Sequence, residues 1–216
     1  MRPILLLLLL AAGAGDLAAQ EPEAPPPRRP RPRAAVGAEV GYSRTDLAGD
    51  DASGTRSRQG ATTGVFLHFP LSAALAVRPE LLFSLRGGRV LASLEGGGTA
   101  TLDIELAYIE LPLLAHFAPV TGRVRPVLFG GVAPALQIGC DLQLIVQPEP
   151  IQTTCNEAEV SFRDWDAGLI VGGGVEAHLN RATLGLELRY TLGARPILEG
   201  LEIHNRSFAI LLALTF

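Results

Sequence analysis

The chain has 216 residues, a formal net charge of −4 and 48% hydrophobic residues, and all of its 18 basic side chains are arginines. The slightly acidic balance gives no reason to expect nucleic acid as a partner. Beyond residue 12 nothing supplies the roughly 18 consecutive apolar residues of a membrane-spanning helix, so any residence in a membrane is expected to be by strands.

The N-terminal segment has the pattern of a secretory signal peptide. A basic start, Met1-Arg2-Pro3, precedes an apolar run at residues 4–12 and the small-residue cleavage site Leu17-Ala18-Ala19. We therefore predict that residues 1–19 are removed after Ala19. Residues 20–33, rich in proline and arginine, are predicted to form an extended periplasmic spacer. This spacer is either an unstructured tail or a segment whose arginines touch an anionic surface.

Eight segments of alternating residue types follow the spacer, as expected for strands that have one apolar face. In the seventh segment, Leu184, Leu186 and Leu188 alternate with Gly185 and Glu187. The last segment is long enough to cross a bilayer as a tilted strand, which needs about ten residues. The segments are 34–43, 60–69, 75–86, 101–117, 125–139, 164–179, 183–194 and 206–216.

The fourth segment changes phase in the sequence. Ile104 and Leu106 share one face, whereas Ile109 starts an apolar series on the other face. Because a slip of one residue exchanges the two faces, we predict a β-bulge near residues 107–108. In the fifth segment, Pro134 has no backbone donor and predicts a bulge or an irregular pairing at that point.

The connections between the segments alternate in length. The long ones cover residues 44–59, 87–100, 140–163 and 195–205, and the three between them are short. Bacterial outer-membrane barrels have short periplasmic turns and longer extracellular loops. We therefore predict that residues 34–216 form an all-β, eight-stranded antiparallel up-and-down transmembrane β-barrel. It would lie in the bacterial outer membrane with both termini in the periplasm.

Several stretches of sequence carry a resemblance to one family. They are Phe69-Pro-Leu-Ser followed by Val77-Arg-Pro-Glu-Leu-Leu-Phe-Ser84, Tyr108-Ile-Glu-Leu-Pro-Leu-Leu114, Pro126-Val-Leu-Phe-Gly-Gly131, Leu186-Glu-Leu-Arg-Tyr-Thr-Leu-Gly193 and Asn205-Arg-Ser-Phe208. In this order they resemble the strands of PorT-like outer membrane β-barrel proteins, the outer membrane protein beta-barrel domain family. The resemblance implies a membrane barrel whose partners are outer-membrane lipids and the barrel assembly machinery. It also implies that the terminal aromatic, Phe216, is the signal that this machinery recognises.

Charged residues collect on the face predicted to point inward. One interpretation is a structural network, because an eight-stranded barrel is just wide enough for side chains to fill it and buried charges must be paired. The alternative is a proton or ion path, or a carboxylate pair for acid–base work. The carboxylates are spread over five of the predicted strands, which favours the structural network. Its predicted members are Glu39, Arg78, Glu80, Arg86, Glu110, Asp166, Glu176, Glu187 and Arg189, with His68 and His178.

The two cysteines of this exported chain favour one disulfide, Cys140–Cys155, over a metal or redox site. Closing a loop of about 15 residues contributes on the order of 3 kcal/mol in the chain-entropy description. The bond is predicted to stiffen an exposed loop against proteolysis. Its apolar residues also suggest a binding surface for an extracellular partner.

No catalytic residue and no cofactor or metal is predicted. His204 and Ser207 are polar but three residues apart, so a strand points them to opposite faces. Gly172-Gly173-Gly174 lies within a strand, where small residues relieve crowding. We expect a non-enzymatic barrel with a structural, adhesion or export-accessory role. The alternatives are a narrow channel, a lipid-modifying enzyme and a soluble lipocalin-like barrel.

Overall fold

A computed structural model describes residues 33–48, 55–93, 99–146, 149–155, 165–194 and 204–216. The predicted signal peptide and all but the last residue of the predicted spacer lie outside the described residues. In these ranges, no helix is long and apolar enough to cross a membrane. The strands are β1 (Ala35–Ala48), β2 (Thr55–Pro70), β3 (Leu75–Ser93), β4 (Thr99–Glu110), β5 (Leu113–Phe117), β6 (Val124–Val146), β7 (Glu149–Thr154), β8 (Trp165–His178), β9 (Thr183–Gly193) and β10 (His204–Thr215).

The strands close into a ring of antiparallel pairs. Each barrel strand is hydrogen-bonded to its sequence neighbours, and β10 returns to pair with β1, where Gly37 lies opposite Thr215. β4 and β5 follow each other between β3 and β6, so together they act as one interrupted strand of the ring. β7 pairs only with β6. If β4 and β5 count as one interrupted strand and β7 is left aside, the ring has eight strands. This confirms the predicted fold.

The outer face of the ring is apolar and the inner face is largely polar. On β10, Ile210 and Leu212 are 44% and 53% exposed, whereas the intervening Leu211 is fully buried. β9 repeats the alternation, with Leu186 outside and Glu187 inside. A lipocalin-like barrel in water needs the reverse arrangement, so that alternative is wrong.

The strands at one end of the barrel are longer than predicted. β1 continues to Ala48, β2 begins at Thr55 and β3 continues to Ser93, so parts of the predicted long connections are strand. Within the connection predicted at residues 140–163, the end of β6 and β7 form a β-hairpin in which Asp141 pairs with Thr154. We call this the loop end. The opposite end has three connections, at residues 71–74, 118–123 and 179–182, and we call it the turn end.

In the fourth strand of the ring, formed by β4 and β5, the same alternation of inward and outward residues continues throughout. Leu106 and Tyr108 are both buried and face inward, as does Ile104. The pairing between β4 and β6 does shift between Ala107 and Tyr108, as predicted, but the skipped residue is Ile138, so the bulge lies in β6. The expectation that apolar residues face outward is wrong for Ile104 and Leu106, because both pack inward in an apolar cluster with Leu142 of β6.

Pro134 lies at an interruption of the sheet, as its missing donor predicts. The register places it beside Leu111, in the break between β4 and β5, which also contains Pro112. Leu111 N still donates to Pro134 O at 2.9 Å. Glu80 N donates to Pro112 O at 2.9 Å, so the segment between β4 and β5 stays hydrogen-bonded to β3.

Candidate functional site: the barrel interior

Five charged side chains meet in the middle of the barrel. Each is 4% exposed or less, and each stands at an inward position of a strand on the alternating pattern. They come from three strands that are far apart in sequence, β1, β3 and β9. We call them the central ion cluster, and its members are Glu39, Arg78, Glu80, Glu187 and Arg189.

Arg78 is the hub of this cluster. Its Nη1 donates to Glu187 Oε1 at 2.5 Å, and its Nη2 donates to Glu39. Its Nε lies 2.9 Å from Glu80 Oε1. One guanidinium therefore contacts carboxylates from three strands. Such bonds between ionised groups are among the stronger hydrogen bonds in proteins.

Arg189 completes the cluster from β9. Its Nη1 and Nη2 donate to the two carboxylate oxygens of Glu80 at 2.8 and 3.1 Å, and Nη2 lies 3.4 Å from Glu39. The Arg78 guanidinium lies 3.9 Å from the ring centroid of Phe66, a cation–π distance. The ions and this ring lie together in the middle of the barrel.

A second layer follows toward the loop end. Arg86 Nη2 donates to Glu110 Oε2 at 2.5 Å, and the Arg86 guanidinium lies 5.5 Å from the ring centroid of Tyr108. Asp166 is buried in the same region, where its Oδ1 accepts from Ala167 N. Beyond this layer, β4 and β6 carry an inward apolar cluster that we call the apolar plug. Its members are Ile104, Leu106, Tyr108, Ala135, Leu142 and Cys155.

A third group lies toward the turn end. Arg125 donates to Glu176 Oε2 from Nε at 2.9 Å and from Nη2 at 2.7 Å. His116 is 3% exposed and stacks on Phe129 with the ring centroids 5.0 Å apart, and His68 lies edge-on to it at 6.1 Å. Arg125, Glu176 and the two histidines line a cavity of about 50 Å³, which has room for one or two water molecules.

The structure places all of the predicted interior charges inside the barrel, but it divides them into three groups. The central ion cluster, the Arg86–Glu110 pair and Glu176 with Arg125 are separate. Sequence reasoning missed Arg125 and His116. His116 alternates with the outward Leu113 and Phe117 in the same way as Leu114, so the pattern of β5 held the signal.

The predicted disulfide between Cys140 and Cys155 is present, with the Cα atoms 5.6 Å apart. It joins β6 to the residue that follows β7, directly beside the Asp141–Thr154 pair. Cys155 is buried in the apolar plug. A cavity of about 370 Å³ opens beside this hairpin, and Arg58, Asp103, Glu105 and Asp141 supply its charged lining.

Phe216 lies at the outer surface of the turn end and is 66% exposed. Its N–H donates to Val36 O at 2.9 Å, which makes it the last backbone contact between β10 and β1. Ser207 is buried on the inner face of β10, and the alternation places His204 on the opposite face. Among the described residues, no cluster of three His, Cys, Asp or Glu is arranged to hold a metal ion.

These features define the class of the protein: a closed transmembrane β-barrel of the outer-membrane type, with an apolar exterior and a filled polar interior. The chain belongs to the family described as "Outer membrane protein beta-barrel domain", which residues 18–199 match. Membership in this family places the protein in the bacterial outer membrane.

Solved structures with a similar fold include the Neisserial surface protein A, which is 12% identical over 86% of this chain and 100% of that one, with a TM-score of 0.48. The attachment invasion locus protein Ail of Yersinia pestis, in complex with the heparin analogue sucrose octasulfate, is 10% identical over 85% and 99%, with a TM-score of 0.41. The outer membrane enzyme PagL is 9% identical over 81% and 97%, with a TM-score of 0.38. A comparison with curated protein sequences found no match.

Proposed function

We propose that this protein is a sealed, non-enzymatic barrel that holds the loop end at the cell surface, in a structural or adhesion role. The observation that carries the proposal is the filled interior. The central ion cluster occupies the middle of the lumen, and the apolar plug lies between it and the loop end. Two cavities lined by inward residues measure only about 50 and 20 Å³, which is too little for a continuous path of hydrated ions.

Conductance in planar bilayers tests this proposal. The purified full-length protein is expected to give no steady current, because the Arg78 and Arg189 pairs close the lumen. A variant with Arg78→Gly and Glu187→Gly removes the hub and one of its partners, and its current measures how much the cluster blocks. A steady, ion-selective current from the wild type would contradict the proposal and favour the narrow-channel alternative.

We also propose that both termini and the turn end face the periplasm. The three connections at the turn end have four to six residues, which is typical of periplasmic turns. An epitope inserted after Gly122 would then be hidden on intact cells, and one inserted after Val146 would be accessible to antibody. The opposite result would reverse the orientation.

A PorT-like membership within the family is part of the same proposal. Five of the ten charged residues that the structure places inside the barrel belong to the stretches that carry the resemblance. Arg78 and Glu80 belong to the first stretch, Glu110 to the second, and Glu187 and Arg189 to the fourth. The resemblance therefore concerns the residues that seal the barrel, and the disulfide hairpin is an addition of this chain.

The lipid-modifying alternative has a direct test of its own. Mass spectrometry of lipid A from cells that express the wild type, the His204→Ala variant or no protein is expected to give one unchanged profile. A profile altered by the wild type and restored by His204→Ala would replace the proposed role with an enzymatic one.

A further inference from the structure

The central ion cluster contains one more acid than base. Its three carboxyl groups, from Glu39, Glu80 and Glu187, face only two guanidinium groups, those of Arg78 and Arg189. All five residues are 4% exposed or less, so bulk water does not screen the difference. If every carboxyl group were ionised, one negative charge would remain uncompensated inside the barrel. A buried charge of this kind is costly, and the group becomes neutral instead.

The neighbouring charged layers have no positive charge to spare. Toward the loop end, Arg86 pairs with Glu110, and toward the turn end, Arg125 pairs with Glu176. Each of these pairs is balanced on its own. Asp166, which lies in the layer of Arg86, is a further buried acid. The charge that balances the central ion cluster therefore has to come from a bound proton.

Two histidines lie on the turn-end side of the cluster, and neither ring is well placed for this proton. His116 stacks on Phe129, and the Arg189 guanidinium lies 5.7 Å from the centroid of the same phenyl ring. Among the described residues, neither ring nitrogen of His116 has a hydrogen-bond partner, so an imidazolium there would lack a carboxylate. His68 lies edge-on to His116 and lines the turn-end cavity beside the balanced ion pair. The proton is therefore better placed on a carboxyl group of the cluster.

The hydrogen bonds show which carboxyl oxygens are free to hold the proton. Both oxygens of Glu80 accept from Arg189, at 2.8 and 3.1 Å, so this group is held as a carboxylate. Glu39 and Glu187 each accept from Arg78 through one oxygen only. Within the described ranges, their second oxygens, Glu39 Oε1 and Glu187 Oε2, have no hydrogen-bond partner. These two oxygens are the candidates for protonation.

The two free oxygens belong to one small site. Glu39 Oε1 lies 3.4 Å and Glu187 Oε2 lies 3.5 Å from the same atom, Nη2 of Arg189. Arg78 holds the other oxygen of each group, so the two carboxyl groups face the same pair of arginines. Two carboxyl groups that share a site do not both ionise readily, because like charges repel. One proton on either group removes this repulsion.

We propose that Glu39 and Glu187 form a proton-binding site that holds one proton at neutral pH. With this proton, the central ion cluster has two carboxylates and two guanidinium groups, and its net charge is zero. Loss of the proton would leave the excess charge in a closed lumen, so the folded barrel retains it. The inference goes beyond the proposed function and uses from it only the closed lumen.

Infrared spectroscopy tests the proposal, since a protonated carboxyl group and a carboxylate absorb at different frequencies. The full-length protein in detergent micelles carries carbon-13 in the side-chain carboxyl groups of glutamate, which separates their bands from that of Asp166. The wild type is expected to show a protonated glutamate at neutral pH. Glu39→Gln and Glu187→Gln are each expected to lose this band, because two carboxylates then face two guanidinium groups. The matched control is Glu105→Gln, which removes a partly exposed partner of Arg58 and should keep the band.

The pH dependence of stability gives a second measurement. Urea unfolding in micelles is followed for the wild type and for Glu39→Gln at a series of pH values. Unfolding of the wild type releases one proton, because an unfolded glutamate ionises above a pH of about 4.3. Above this pH, the folding equilibrium constant of the wild type relative to that of Glu39→Gln is expected to fall about tenfold per pH unit. The fall ends where the folded cluster releases its proton.

A wild type without a protonated glutamate at neutral pH would overturn the proposal, as would a band that persists in both Glu39→Gln and Glu187→Gln. Parallel pH curves for the wild type and Glu39→Gln would overturn it as well. His116→Phe keeps the ring stack and is expected to leave the band and the pH dependence unchanged. A pH dependence that disappears in this variant would place the proton on the imidazole and overturn the proposal.

Two controls keep these outcomes distinct. Heat-modifiable migration on unboiled gels verifies that each variant is folded, and if Glu39→Gln does not fold, Glu187→Gln takes its place in both measurements. Conductance tests the closed lumen separately. A steady current from the wild type would overturn the sealed role, whereas the infrared band alone decides whether the cluster holds a proton.

Discussion

Arg189 on β9 donates hydrogen bonds to both carboxylate oxygens of Glu80 on β3, at 2.8 and 3.1 Å. β3 and β9 are not neighbours in the ring, so this bidentate pair crosses the lumen. It ties opposite walls of the barrel to each other. The interior charges therefore stabilise the barrel by joining strands that are not hydrogen-bonded to each other.

Replacing Arg189 with glutamine is expected to lower the free energy of unfolding by about 3–5 kcal/mol, because it leaves Glu80 buried without its main partner. Urea unfolding in detergent micelles or vesicles measures the change. The control is Arg206→Gln, which breaks the exposed pair with Asp46 and should cost no more than about 1 kcal/mol. Glu39→Gln should cost less than Arg189→Gln, because the cluster has three carboxylates and two arginines. Equal losses of unfolding free energy for Arg189→Gln and Arg206→Gln would contradict the stabilising role of the pair across the lumen.

Gly172 on β8 is expected to tolerate no larger residue. A Cβ at this position would lie 2.4 Å from the Phe129 ring and 2.4 Å from Leu188 O. We predict that Gly172→Ala destabilises the barrel by about 1–3 kcal/mol through overpacking. Gly173→Ala is the matched control, since its nearest neighbour is the flexible tip of Leu128 at 3.1 Å. A larger loss from Gly173→Ala in urea unfolding would refute this account of the triple glycine.

Loss of the disulfide is expected to open the hairpin without unfolding the barrel. In Cys140→Ser/Cys155→Ser, the β6–β7 hairpin loses a constraint of about 3 kcal/mol, so cleavage after Leu144 by chymotrypsin should accelerate by roughly 100-fold. Mass analysis of the fragments follows the cut. The wild type treated with reductant is the second arm, and unchanged cleavage in both arms would show that the bond does not protect the hairpin.

Deleting Phe216 is expected to lower the yield of folded barrel in the membrane. The deletion removes the proposed assembly signal and the bond from Phe216 N to Val36 O. Phe216→Trp, which keeps an aromatic ring and the backbone bond, should restore the yield. Phe208→Ala is the control, because it removes a ring from the outer face at the other end of β10. Heat-modifiable protein in the membrane fraction is the measurement, and an unchanged yield after deletion would count against an assembly role.

The alternation of residue types predicts the inner and outer faces well, because a bilayer requires an unbroken apolar outer face. Glu39 and Leu186 lie where this rule puts them. The alternation of apolar and polar residues ends where a strand extends beyond the bilayer. Beyond Tyr42 the outer face of β1 turns polar at Arg44, so the alternation fades although the strand continues to Ala48.

The partners inside the barrel are beyond sequence reasoning. Glu80 and Arg189 are 109 residues apart in sequence, and their contact depends on the stagger of strands around the ring. The phase of β4 fails for a related reason. Ile104 and Leu106 pack inward beside Leu142, which is the cross-strand partner of Ile104, so this cluster depends on how β4 pairs with β6.

The pairing of Gly37 with Thr215 has a consequence for how the protein forms. The first strand finds one of its two partners only when the last strand has been made. Until then, two strand edges stay open and an apolar face stays uncovered, which favours aggregation. Contacts this distant in sequence also form slowly, because the chain entropy is lost before they are gained. We therefore expect the newly exported chain to aggregate unless a carrier keeps both edges apart from other chains until the ring closes.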